Sequence, residues 1–136
     1  MIKYNHTDKK KVLERRDDVV QSTMGGGWHI PTPEQFEELF NTTYVNIESV
    51  QNYNNSGVNG ILITSKVDNT KTLFLPYGGN CEDGQVIEVN ESGDMWTNTL
   101  SNTTIYQAYS CTLYGNETSS SITSRTRGCT IRGVVG

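Results

Sequence analysis

The chain has 136 residues, a formal net charge of -4 and 34% hydrophobic residues, with a mean hydropathy of -0.53. That length suits one domain with a modest core, and the acidic balance disfavours nucleic acid as a partner. No apolar run is long enough to cross a membrane as a helix, while Trp28, Trp96 and seven tyrosines argue against disorder.

Met1-Ile2-Lys3-Tyr4 opens no signal peptide, because no apolar stretch follows. The expectation is a chain that is cytoplasmic when made, or a piece of something longer. Residues 1–11 are polar and read as extended or frayed, with Lys9-Lys10-Lys11 a solvated face. Val12, Leu13, Val19, Val20 and Met24 recur at helical intervals, and Asp17-Asp18 suit a first turn. A first helix is therefore expected from about Asp17, or earlier, to about Met24. Gly25-Gly26-Gly27 end it.

Thr32 can cap a second helix, Pro33 fits its first position, and Gln35 completes a capping box. Phe36, Leu39 and Phe40 share one face, so this helix is expected from about Pro33 to about Thr42. A glycine run before a helix can also cradle phosphate. Here it lacks the Lys and Ser/Thr of a P-loop and the spacing of a dinucleotide fingerprint, and it follows a helix rather than a strand. It reads as a corner in which Trp28 fills the core.

Asn52 to Gly57 is a loop by composition, and the period then changes to two. Ile61–Val67 and Lys71–Pro76 read as a hairpin around Asp68-Asn69-Thr70, with Pro76 ending the pairing. Gly78-Gly79 and Glu82-Asp83-Gly84 mark turns, Asp94–Thr97 a short strand, and Ala108–Tyr114 an alternating one ending at Gly115-Asn116. In that strand Ser110, Thr112 and Tyr114 share a face, and Cys111 and Leu113 turn to the core. Residues 119–127 are polar, and 128–135 form a final strand. Two helices followed by strands predict an α+β domain with a mainly antiparallel sheet.

Cys81, Cys111 and Cys129 contain no Cys-x-x-Cys, and no histidine spacing suggests zinc. Buried free thiols are the plainer reading, and a Cys111–Cys129 pair stays open. Asn-x-Ser/Thr sequons at Asn5, Asn41, Asn54, Asn90, Asn102 and Asn116 follow from the abundance of Asn, Ser and Thr. His6 and His29 accompany no nucleophile pattern, and Glu37-Glu38 point apart on a helix, so no catalytic constellation emerges.

The order of motifs resembles the bacterial and phage domain called the Fibrobacter succinogenes major paralogous domain. Its pattern is matched by Tyr4-Asn5, by Asp17-Asp18, and by Gly26-Gly27-Trp28-His29-Ile30-Pro31-Thr32 with one register shift in the glycines. Phe36-Glu37-Glu38-Leu39, Gly57-Val58-Asn59-Gly60, Thr64-Ser65-Lys66, Phe74-Leu75-Pro76 and Gly93-Asp94-Met95-Trp96 follow in order. Gly128-Cys129-Thr130-Ile131-Arg132-Gly133-Val134 matches the family's ending, with Gly133 where a proline is usual, and Thr97-Asn98 replaces its Ser-Ser. Family members also carry an upstream segment, with a first strand, that has no counterpart before Met1.

The resemblance implies a C-type-lectin-like fold for a single domain over 1–136. It also implies a kinship with proteins diversified by retroelements in gut Bacteroidetes and their phages. The matching variable, ligand-binding region is 96–129. Its composition resembles antibody loops, with tyrosines for contact area and short polar side chains for adaptable hydrogen bonds. The candidate ligand-binding residues are Asn98, Asn102, Thr104, Tyr106, Ser110, Thr112, Tyr114 and Arg127.

The lectin calcium motifs are missing, and Glu82, Asp83, Glu91 and Asp94 are the available carboxylates, so neither metal nor cofactor is expected. Cys129 has no second cysteine beside it, against the formylglycine-generating enzymes of the same superfold. The expected function is a non-enzymatic binding module on a phage virion or bacterial surface, recognising a host-cell protein or glycan. The alternative is a structural virion or cell-surface decoration domain, partnered by other surface chains. No nucleic acid and no membrane insertion are expected.

Overall fold

Helices form where the sequence supplies caps. In the computed structural model, which describes residues 3–135, helix α1 is Val19–Met24 and helix α2 is Pro33–Leu39. Asp18 caps α1: one carboxylate oxygen accepts the N–H groups of Val20 and Gln21 at 3.0 and 3.1 Å. Gly25 closes the helix at φ +68°, in the left-handed region that suits glycine. The expected capping box of α2 is present. Thr32 Oγ1 accepts the Gln35 N–H, the Gln35 side chain accepts the Thr32 N–H, and Pro33 leads the helix. The helix stops short of Thr42 because Asn41 diverts the chain: its side chain accepts the Thr43 N–H and its carbonyl those of Tyr44 and Val45.

The rest is mostly antiparallel sheet, so the domain is α+β with two short helices. The strands are β1 (Trp28–His29), β2 (Val45–Val50), β3 (Gly60–Ser65), β4 (Thr72–Pro76), β5 (Asn80–Glu82), β6 (Gln85–Ile87), β7 (Ser92–Leu100), β8 (Gln107–Tyr114), β9 (Glu117–Ser124) and β10 (Val134–Val135). They pair in the orders β2-β3-β4 and β7-β8-β9, with two-stranded ribbons β5-β6 and β1-β10. The β3–β4 hairpin forms as expected, and Glu82-Asp83-Gly84 turns β5 into β6. Phe36 of α2, Ile61, Ile63, Leu75 and Tyr77, and Met95, Cys111 and Leu113 build one core that joins both three-stranded sheets. Cys111 and Leu113 face inward, as the alternation of β8 predicts.

Four features depart from expectation. Trp28 is 38% exposed, paired with Val135 on the β1–β10 ribbon, because the indole packs over the returning C-terminal segment rather than under a sheet. A Cβ built on Gly133 would come within 2.9 Å of Val20 and 3.3 Å of Trp28. A side chain at Gly133 would therefore have to displace Val20 or the Trp28 indole. The final strand is confined to Val134–Val135, with single bridges at Gly128 and Thr130 before it. Residues 117–124, read only as polar over most of their length, form β9.

The N-terminal segment is also not frayed over the described residues; Met1 and Ile2 lie outside them. Asp8 accepts the N–H groups of Tyr4, Asn5 and Lys10 at 2.6, 2.9 and 3.0 Å. Val12 bridges Thr99, Leu13 donates its N–H to the Asn98 carbonyl, and Leu100 donates to that of Lys11. Arg125 Nη1 donates to the Tyr4 and Ile105 carbonyls. The segment thus lies along the edge of β7 as a strap, and Tyr4 is buried.

Candidate ligand-binding surface

Strand β8 carries the middle of the candidate region, and its register decides which side chains reach solvent. Asp94 of β7, Thr112 of β8 and Ser119 of β9 stand in one row, and Trp96, Ser110 and Ser121 in the next. This face is a hydroxyl array. Ser110 and Thr123 lie 2.7 Å apart, Thr112 donates to Asp94 Oδ1 at 2.8 Å, and Thr112 and Ser121 are 2.9 Å apart. Ser110 is 2% exposed. Small hydroxyls under neighbouring side chains satisfy one another here instead of meeting a ligand.

The eight candidate residues separate accordingly. Asn98 is buried, and its side-chain oxygen accepts the Thr99 hydroxyl. Ser110 is buried, and Thr112 is half-buried in the array. Asn102, Thr104 and Tyr106 sit in the loop between β7 and β8, where Thr104 Oγ1 accepts the Tyr106 N–H and Tyr106 is exposed. Arg127 lies beyond β9 and pairs with Glu82 Oε2 at 3.2 Å. Tyr114 is exposed at the opposite end of β8. Eight residues of extended chain separate Tyr106 from Tyr114, roughly 26 Å at about 3.3 Å per residue. One small ligand cannot touch both.

The Tyr114 end has a concave site. A cleft of about 650 Å³ lies between Val45, Asn46 and Ile47 of β2 and the Tyr114-to-Ser119 end of the β8–β9 hairpin. Lys66 and Thr42 complete its rim, where Lys66 Nζ donates to the Thr42 carbonyl. The two walls are tied from inside the core. The buried Tyr77 hydroxyl donates to the Gly115 carbonyl in the hairpin turn, and Ser49 Oγ of β2 lies 2.9 Å from it. With the tyrosine proton committed to Gly115, Ser49 is the donor. Each such bond is worth about 1 kcal/mol, and together they hold the cleft's width before any ligand arrives.

The lining offers hydroxyls, two amides, one ammonium and one carboxylate around the Tyr114 ring. That set can bind by hydrogen bonds and ring contact, and it contains no nucleophile–base pair. Among the described residues no three of His, Cys, Asp and Glu converge to hold a metal ion. Glu82 is engaged by Arg127 and Asp94 by Thr112. The three cysteines are free thiols. Burial first, and the Asp94 charge second, push both Cys111 and Cys129 up to about 12.

The β2 wall, with Asn46, was missed in the sequence. Its signal was the alternation Val45-Asn46-Ile47-Glu48, inward and outward in turn. Nothing local linked it to a hairpin nearly 70 residues away. Compared with known proteins, the chain matches no family model, no curated protein and no solved structure.

Proposed function

We propose that this chain is a non-enzymatic binding module on a C-type-lectin-like scaffold, displayed on a phage particle or bacterial surface and engaging a host-cell protein or glycan. The observation that carries the reading is the Tyr114 cleft, whose walls are fixed by Tyr77. It combines an exposed aromatic with adaptable amides and hydroxyls, the composition that binding loops use. The order of motifs along the chain supports the scaffold. The exposed Tyr106 loop, with Asn102 and Thr104, is a second contact area available to a large ligand.

Binding of the labelled chain to host cells, followed by a glycan array, tests the reading. Tyr114→Ala is expected to weaken binding by roughly tenfold or more, as loss of a central aromatic anchor does. Tyr106→Ala is expected to change it less, unless the ligand spans both ends of β8. Equal binding by wild type and both variants, all folded, would remove the tyrosines from the site and the cleft from the function.

A further inference from the structure

The β7–β8–β9 sheet is covered on one edge and bare on the other. Beyond β7 run the N-terminal strap and Thr130, which bridge Thr99 and Met95. Beyond β9 no strand pairs among the described residues. The hairpin register identifies the groups left over. Tyr114 lies opposite Glu117, and the Arg125 N–H donates to the Tyr106 carbonyl, so odd-numbered residues of β9 bond to β8. Thr118, Ser120, Ile122 and Ser124 therefore turn their N–H and C=O groups outward.

Natural edges are blunted by lysine, proline, bulges or charge. Residues 118–124 are all Ser, Thr or Ile, and their ladder with β8 is unbroken. Ile122 stands 45% exposed on this edge.

We propose that β9 is a self-association edge, on which two copies of the chain pair antiparallel about a two-fold axis at Ser121. The pairing sets Ser120 against Ile122 and Thr118 against Ser124, so outward groups of one copy meet outward groups of the other. The two Ile122 side chains become diagonal neighbours and cover each other. Glu117 and Arg125 flank the segment, and this register sets Glu117 of each copy opposite Arg125 of its mate. Arg125 keeps Nη1 on the Tyr4 and Ile105 carbonyls while its charge stays near the end of the seam. A two-residue slip in register, which moves the axis by one residue, loses the Glu117–Arg125 match. The seam itself carries no charge, so the net charge of -4 is not concentrated there. The contact is isologous and closes at two copies, giving a continuous six-stranded sheet. Two clefts on one particle raise avidity, and because Glu117, Thr118 and Ser119 line the cleft as well as the seam, the association is measured on the chain without ligand.

Sedimentation equilibrium on the full chain tests this. Wild type is expected to approach twice the monomer mass as concentration rises. Ser120→Pro removes an outward N–H and leaves the bonds to β8 in place. Ile122→Lys places like charges at the seam. Each is expected to weaken association by roughly tenfold or more with unchanged circular dichroism. Ser121→Cys is expected to cross-link to itself on mild oxidation, and Ser124→Cys is not, with the linkage mapped by mass spectrometry. If Ser120→Pro fails to fold, Ile122→Lys decides. A wild type that stays monomeric at every soluble concentration overturns the proposal, whether or not it binds a foreign strand. So does a dimer that both folded variants retain, or one that Ser121→Cys cannot cross-link.

Discussion

Asp18 shows how much one side chain can organise. It is 3% exposed, and its carboxylate accepts three backbone N–H groups: Val20 and Gln21 at the start of α1, and Ile30 at 2.8 Å across the glycine corner. A buried carboxylate is tolerable only when its lone pairs are filled in this way. Replacing it with alanine removes a helix cap and leaves the Ile30 N–H without its partner. Asp18→Ala is expected to destabilise the fold by about 2–3 kcal/mol, measured as a shift of the urea midpoint at unchanged slope. Asp18→Asn keeps a capping oxygen but not both faces of the carboxylate, so it should fall between. A midpoint unmoved by Asp18→Ala would show that this corner is held by packing alone.

The N-terminal strap is the element whose attachment should respond to acid. Glu14 sits among Lys10, Lys3 and Arg16, with Lys3 Nζ at 2.7 Å. The Lys10 bond first, and the Lys3 bond second, hold its carboxyl down at about 2. Asp17 is lowered by Lys3 and then Tyr4. Asp8 is lowered chiefly by the Lys10 backbone N–H. A carboxyl lowered in the folded state contributes stability above its unfolded value, and loses it as pH falls through the folded one. For Glu14 that window runs from its ordinary 4.5 down to about 2. The protection of the Leu13 and Leu100 amides, which pin the strap to β7, measured against their intrinsic exchange rates at each pH, should therefore fall across this range before the core opens. Glu14→Gln should flatten the acid response of those two amides. Protection that stays constant throughout would mean the strap is held by its backbone bonds and Tyr4 alone.

At the scale of the whole molecule, local devices were legible and long-range ones were not. The Thr32–Gln35 box and the β3–β4 hairpin each depend on residues within a few positions of one another, so their physics is complete in a short window, whereas Asp18, expected within the first turn, caps α1 from just outside it. Cys111 and Leu113 were placed in the core because an alternating strand has only two faces. Trp28 was misplaced because its partner, Val135, lies more than a hundred residues away. Ser110 shared a face with Tyr114, as alternation requires, yet alternation says nothing about what covers a face. The hydroxyl array that satisfies Ser110 comes from β7 and β9 as well. The cleft was half visible for the same reason. Tyr114 was marked by its chemistry, whereas β2 and Tyr77 join it only through the tertiary fold.

Cys111 turns that shared core into a clock. Its thiol is 3% exposed and pushed up to about 12, so in the closed protein it offers almost no thiolate to an alkylating reagent. Cys81 and Cys129 are only half-buried. Under native conditions iodoacetamide should therefore mark Cys111 last, at a rate set by how often the core itself comes apart. Mass spectrometry of peptides at successive times would read that opening without denaturant or an engineered label. A Cys111 modified as fast as the half-buried Cys81 would reveal a route into the core that the packing of Phe36, Met95 and Leu113 does not disclose.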